Sequence, residues 1–384
     1  MNRLLRALGL LLVAALFLVL IANSFLLQKT DPTSSDFGTF WTAGRHYITG
    51  QPLYSVIGEA HPYKYPPWTT LLTVPFALFP LEIAGVLWRL CIVASLGLIL
   101  VRTARVVGTW TAVLAFIPFW GFWNLNLLAG QANLIWMLIA WVGYDLLKRN
   151  SSLGLVLMTT VLSGKLFQVF SLIAVPRAHW RGRSMGAVVL VLAASCLPAI
   201  WAYDSPMLLN FVQAYREAAA GGGAALGGGG YGLPSFFTDL FSISRANSGA
   251  RVLFFVPCAI FAAWVFRGVK RAGQGRDGAT EGFLATLALG AAIHPMAFAY
   301  TFVFCYPFAA AAIARSFGGS RILDRAIAPL GLFMIVACNE KVLGPAGVFL
   351  ESHQVKAFGV FVMALGYLRC GSHADGMPGH PRAS

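Results

Sequence analysis

Asp36, followed at helical spacing by Phe37, Phe40, Trp41 and Tyr47, heads the residues in this chain that could do chemistry. Intervals of three, four and seven predict an amphipathic helix that begins at the aspartate and lies at a membrane interface. A carboxylate in that position has two uses. It satisfies unpaired amide groups at a helix N-terminus, or it stands at the mouth of a membrane cavity and takes a proton from an acceptor hydroxyl as a general base. Spacing alone does not choose. Lys165 lies within an apolar stretch, where an ammonium must snorkel to the headgroups, pair, or meet an anionic ligand such as a phosphate. His294, beside Pro295, reads equally as a substrate ligand or as a hydrogen-bonded structural histidine. Arg45 and Lys64 add cations to the segment that holds Asp36. In that segment Tyr65, Pro66 and Pro67 stiffen the backbone, and Tyr63 and Trp68 are expected in an interfacial aromatic belt.

The chain that must position these residues is hydrophobic throughout. Of 384 residues, 58% are hydrophobic and 11% charged, with a mean hydropathy of +0.71, far from the roughly 25% charge of a soluble domain. Apolar runs long enough to cross about 30 Å of hydrocarbon recur from Leu8–Leu27 onward. Arg3 and Arg6 ahead of the first run resemble a secretory signal, but its length and the runs that follow favour a retained helix. The net charge of +14 comes in short basic clusters between apolar spans, a distribution that points to topology and not to nucleic acid. The six cysteines form no CxxC pair and lie in or against apolar runs, so neither a disulfide framework nor a metal site is expected. No P-loop, Rossmann glycine pattern or HExxH occurs, and no cofactor is expected.

Because Lys and Arg stay with cytoplasmic loops, the basic clusters thread the chain. Those at 3–6, 102–105, 148–149, 177–183, 267–276, 315–325 and 369 all belong inside. Residues 152–176 and 281–314 must then each double back, the first near Ser163, Gly164 and Lys165, the second at His294 and Pro295. Helices are predicted at about 81–101, 109–126, 131–147, 184–203, 250–266, 326–342 and 353–369. With the first helix and the two hairpins this gives about twelve crossings and both termini inside. The polar turn with Asn124, Asn126, Gly130, Gln131 and Asn133 faces outward. The expected organisation is one transmembrane domain over 1–370, with a first extracytoplasmic loop at 29–80, a glycine-rich outer loop at 204–249 and a disordered cytoplasmic tail at 371–384. The run GGGAALGGGGYG in the second loop reads as a linker or as a lid that orders over substrate.

The order of Asp36, Ala43, Gly50, Leu53 and Tyr54, then YPP at 65–67, GQAN at 130–133 and Lys165 before a basic turn resembles glycosyltransferase family 87, the DUF2029 group. That group includes polyprenyl-phosphate-mannose-dependent α-mannosyltransferases. The resemblance spans about residues 30 to 300. It implies a C-type glycosyltransferase (GT-C) membrane fold, a polyprenyl-phosphate-sugar donor, a lipid or glycan acceptor, and an inverting reaction at the outer face of a bacterial inner membrane. The catalytic aspartate of the first outer loop falls on Asp36. Lys165 is then the first candidate to meet the leaving phosphate, with Arg45 or Lys64 next, and Tyr54, Tyr65, Gln131, Asn133 and His294 complete the substrate-binding set. Where family members carry Ser-Pro followed by tryptophan and histidine, this chain has His294, Pro295, Met296, Ala297 and Phe298, a departure that bears on donor or acceptor identity. A secondary transporter or lipid flippase would also have about twelve helices and intramembrane charge. The absence of an evident internal repeat and the gathering of polar residues in outer loops speak against it.

Overall fold

The structure, a computed structural model, describes residues 3–28, 36–54, 63, 65–164, 166–175, 186, 189, 233–234, 237, 241, 248–272, 275–294, 299–319 and 321–372. Lys64, Lys165, Pro295, nearly all of 184–203 and of the glycine-rich loop, and the tail from 373 lie outside them. Every element among the described residues is helical. Among the described residues, three helices are long and apolar enough to cross a membrane, Leu81–Val107, Thr109–Ala129 and Leu253–Ala272. A fourth span is available if Pro345–Glu351 and Val355–Cys370, bent by 75° at their junction, count as one. The chain is a membrane protein built of helices.

The chain divides into two compact units. The first takes in the described residues of Met1–Ile99 and Gly121–Gly228. It holds α1 (Arg3–Gln28), α2 (Asp36–Thr49), α3 (Thr70–Ala77), the first two-thirds of α4 (Leu81–Val107), α6 (Trp120–Ala129), α7 (Asn133–Lys148), α8 (Ser152–Gly164) and a 3-10 segment at Leu166–Ala174. The predicted amphipathic helix is α2, but protein takes its buried face. Gly44 lies so close to α3 that an added Cβ would stand 2.8 Å from Ala77 Cβ, and Phe37 and Phe40 pack against Trp88 of α4. Gly50, at φ +68°, ends α2 with a bond from Gln51 N to His46 O, the Schellman pattern that satisfies terminal carbonyls. Tyr63, expected in an aromatic belt, is buried instead. Its hydroxyl bonds Thr69 Oγ1, and its ring packs between Tyr54 and Tyr65. The Pro66 carbonyl is the hub of this turn, accepting from Thr69 N at 3.0 Å and Thr69 Oγ1 at 2.6 Å, with the Tyr63 hydroxyl at 3.4 Å.

The second unit takes in the described residues of Leu100–Trp120 and Gly249–Ser384. It holds α5 (Thr109–Phe116), α9 (Ser248–Ala272), α10 (Gly275–Ile293), a 3-10 segment at Ala299–Cys305, α11 (Tyr306–Ser316), α12 (Ile322–Val336), α13 (Pro345–Ser352) and α14 (Val355–Ser372). The expected helix over 109–126 is interrupted at Ile117–Phe119, where Pro118 removes a backbone donor and the turn tightens to 3-10. α10 is buried almost all round from Phe283 to Ile293. α12 and α14 meet through small residues, an added Cβ on Gly331 falling 2.6 Å from Gly359 O, the kind of contact that lets membrane helices approach closely. Glu281 and Arg315, at the two ends of the second expected hairpin, are 3.7 Å apart. A straight helix between them would separate them by about 50 Å, so the chain turns back, as the charge pattern requires. Regular helix stops at Ile293, immediately before His294.

Candidate active site

The site begins with a turn. α6 ends in a Schellman arrangement, with Gly130 N bonded to Leu127 O and Gln131 N to Asn126 O. Gly130 occupies the left-handed region at φ +64°, where an L side chain is strained. It also faces α2 so closely that an added Cβ would lie 2.6 Å from Phe37 Cβ and 3.2 Å from Phe37 N. Trp88 Nε1 donates to Gly130 O at 2.8 Å and fixes the turn from the other side. Asn133 Nδ2 donates to Asn126 Oδ1 at 2.9 Å, and Asn126 Nδ2 to Phe122 O at 2.8 Å, which tie the start of α7 to α6. Gly130, Asn126 and Asn133 thus serve to hold the turn's shape.

That shape carries Gln131 to the N-terminus of α2, where its Nε2 donates to Asp36 Oδ2. Asp36 is half-buried, and its other carboxylate oxygen accepts no hydrogen bond among the described residues. The first-turn amides of α2 favour its negative charge. One oxygen fixed and one open is a suitable arrangement for a base that must receive a proton from an incoming hydroxyl.

Aromatic rings floor the site. Phe37, Phe40 and Phe76 lie against Trp88 with centroids 5.5, 5.9 and 5.1 Å away, and Tyr65 lies 5.0 Å from Phe40. Such pairs contribute roughly 0.5–1.5 kcal/mol each beyond their burial. Tyr54 Oη donates to Tyr65 O at 2.7 Å. Burial pushes the Tyr54 and Tyr63 phenols well above the ordinary tyrosine value, the neighbouring Tyr63 adding to the rise at Tyr54 and the Thr69 bond opposing it at Tyr63. Both therefore stay neutral donors at physiological pH.

Of the remaining predicted residues, Arg45 stands apart from this cluster. Arg45 is nine residues beyond Asp36 on α2, about 13 Å along the axis and on the opposite face. Its Nη1 donates to Ala77 O at 3.3 Å, so it caps the end of α3, and its guanidinium lies over the Trp41 ring. His294, half-buried at the end of α10, belongs to the second unit. Lys64 and Lys165 fall outside the described residues. Among the described residues no group of three or more His, Cys, Asp or Glu side chains could hold a metal ion. Trp88 and Gln168 escaped the sequence reading. A tryptophan in an apolar helix looks like any other, and Gln168, three residues past Lys165, is distinguished only by where it folds: fully buried, with neither amide atom hydrogen-bonded.

A comparison with protein-family models decides what this arrangement belongs to. Residues 63–298, more than half of the chain, match the model of glycosyltransferase family 87. The chain belongs to glycosyltransferase family 87. No curated protein and no solved structure matches it. The family match covers YPP, GQAN, Lys165 and His294, while Asp36 and Arg45 precede it. This family 87 protein is a membrane glycosyltransferase, with a sugar donor and an acceptor as its substrates.

Proposed function

We propose that this glycosyltransferase moves a sugar, mannose on the family resemblance, from a polyprenyl-phosphate-linked donor to a lipid or glycan acceptor at the extracytoplasmic face of the bacterial inner membrane. The reaction inverts the anomeric carbon, and Asp36 is the general base. The observation that carries this reading is the Asp36 carboxylate, of which one oxygen accepts from Gln131 and the other accepts no hydrogen bond among the described residues. That second oxygen accepts the proton of the acceptor hydroxyl. The acceptor oxygen attacks the anomeric carbon from the face opposite the phosphate. The bond from that carbon to the phosphate oxygen breaks, and its electron pair leaves with the polyprenyl phosphate. The charge that develops there calls for a cation. Lys165 is the first choice and Lys64 the next, while Arg45 donates to the end of α3 on the opposite face of α2. Tyr54 and Tyr65, in the same unit as Asp36, complete the substrate-binding set.

In the same reading the chain is a GT-C-type membrane fold of about twelve crossings. Residues 1–370 form one transmembrane domain with both termini cytoplasmic, and α2 lies at the outer interface. The test supplies membranes containing the protein with radiolabelled polyprenyl-phosphate mannose or, separately, a nucleotide-linked mannose. Label is expected in acceptor from the first alone. Transfer from the nucleotide sugar, or movement of a solute across proteoliposomes with no consumption of the lipid-linked sugar, overturns the proposal.

A further inference from the structure

α4 carries a charge that none of these roles uses. Arg89 lies in the third turn of this apolar helix, about 12 Å along the axis from Leu81, and is only 5% exposed. Protein and not lipid surrounds it, so it does not snorkel along the helix surface to the headgroups. Its Nη1 donates to Gly85 O at 3.3 Å, one turn back, which turns the guanidinium toward the Leu81 end. Nε is buried without a hydrogen-bond partner, and no carboxylate pairs with the side chain among the described residues. Glu82, the nearest acid on the same helix, is exposed. A guanidinium presents five N–H donors in a planar fork. Burying its charge without an anion is expensive, and an unpaired cation within a membrane span marks a path or site for an anion.

The position of Arg89 indicates which anion. Trp88, its neighbour in sequence, donates to Gly130 O and supports Phe37 and Phe40. The turn of α4 that carries Arg89 therefore also supports the Gln131–Asp36 pair. We infer that Arg89 binds the phosphate of the lipid-linked sugar donor. The inference rests on the proposed function and gives its leaving group a second cation besides Lys165. A planar fork grips phosphate oxygens two at a time. The donor is a phosphodiester with one negative charge, whereas the departing polyprenyl monophosphate gains charge as the bond to the anomeric carbon breaks. Arg89 thus holds the leaving group more strongly than the donor, the difference that accelerates a reaction.

The test measures thermal unfolding of the purified full-length protein in detergent with polyprenyl monophosphate, uncharged polyprenol, phosphatidylglycerol or inorganic phosphate, alongside sugar transfer. Polyprenyl monophosphate is expected to raise the Tm of the wild type, and of Asp36→Asn, by several degrees, while the other three do little. Without ligand, Arg89→Met unfolds at the wild-type temperature or above it, because an uncompensated buried charge has gone, yet it loses the shift. Arg89→Lys keeps part of the shift, with kcat/KM for the donor lower by roughly tenfold or more. A full shift and normal transfer in Arg89→Met overturn the inference and leave the proposed function standing. A much lower Tm for ligand-free Arg89→Met makes the guanidinium structural, and an equal shift with phosphatidylglycerol makes the site a general headgroup contact; either result overturns it. A wild type that neither shifts nor transfers sugar from the lipid-linked donor overturns the proposed function, and the role of Arg89 with it.

Discussion

Asp36 and Gln131 are 95 residues apart in sequence and share one hydrogen bond, so the role assigned to the acid can be tested through its partner. A hydrogen bond to a charged group contributes roughly 1.5–3 kcal/mol. Gln131→Leu is therefore expected to lower kcat by about tenfold to a hundredfold with donor KM little changed, which steady-state transfer kinetics would reveal. A change confined to KM would assign Gln131 to substrate binding. Gln168 gives the converse case, since its buried amide has no hydrogen-bond partner among the described residues and leaving such a group unsatisfied costs roughly 1–3 kcal/mol. Gln168→Leu should raise the Tm of the substrate-free protein, and a fall in Tm would mean that the amide is satisfied in the folded state. Both Asp36 and Gln131 were legible in the sequence as candidates, one from its place ahead of an aromatic helix and the other from its outer turn. Their pairing was not, because it depends on how closely Gly130 approaches Phe37, a property of tertiary packing that periodicity does not encode. The place of Arg45 was illegible for the same reason: a cation near Asp36 in sequence, it lies on the opposite face of α2 and donates to the end of α3.

Two glycines with nearly the same backbone separate conformational strain from close packing. Gly130 and Gly50 have φ of +64° and +68°, but an added Cβ on the first meets Phe37 while that on the second meets nothing within 4 Å. Both alanine variants carry the left-handed strain of roughly 1–2 kcal/mol, and only Gly130→Ala also pushes α2 and its aspartate away from Gln131. Gly130→Ala should lower both Tm and transfer, whereas Gly50→Ala should lower Tm alone. Equal loss of activity in the two would detach the turn from the site. The loop that leads into α3 has its own signature at alkaline pH. Because folding raises the Tyr54 and Tyr63 pKa values, their neutral forms add stability that is fully present below the unfolded tyrosine value of about 10, and this is lost as pH rises further. Tyr54→Phe removes part of that dependence, so a plot of Tm against pH should fall less steeply above about 10 than in the wild type. At this scale the sequence was a good guide to where helices start. Asp36, Leu81 and Ser152 open helices close to the expected positions, each following a turn or proline signal. It was a poorer guide to what their faces meet, since an aromatic stripe looks alike whether lipid or Trp88 receives it.

Across the whole molecule, two independent lines converge on a membrane glycosyltransferase: apolar helices of spanning length and a family match over residues 63–298. Charge distribution was the most informative large-scale feature of the sequence. Demanding that every basic cluster share one side of the membrane called for a reversal between Glu281 and Arg315, and the two side chains come within 3.7 Å of each other. The number of crossings is less legible, because short or broken helices such as Ser152–Val161 and the bent pair at 345–370 fall at the edge of the length that hydrocarbon thickness sets. The central claim, that this family 87 protein transfers a lipid-linked sugar with Asp36 as base, is tested most directly by comparing wild type and Asp36→Asn in single-turnover transfer from polyprenyl-phosphate mannose. Asparagine keeps the shape and a hydrogen-bonding partner for Gln131 but cannot take a proton at neutral pH. The account predicts that donor binding persists while the rate falls by about 10²–10⁴; transfer at the wild-type rate by Asp36→Asn would contradict it.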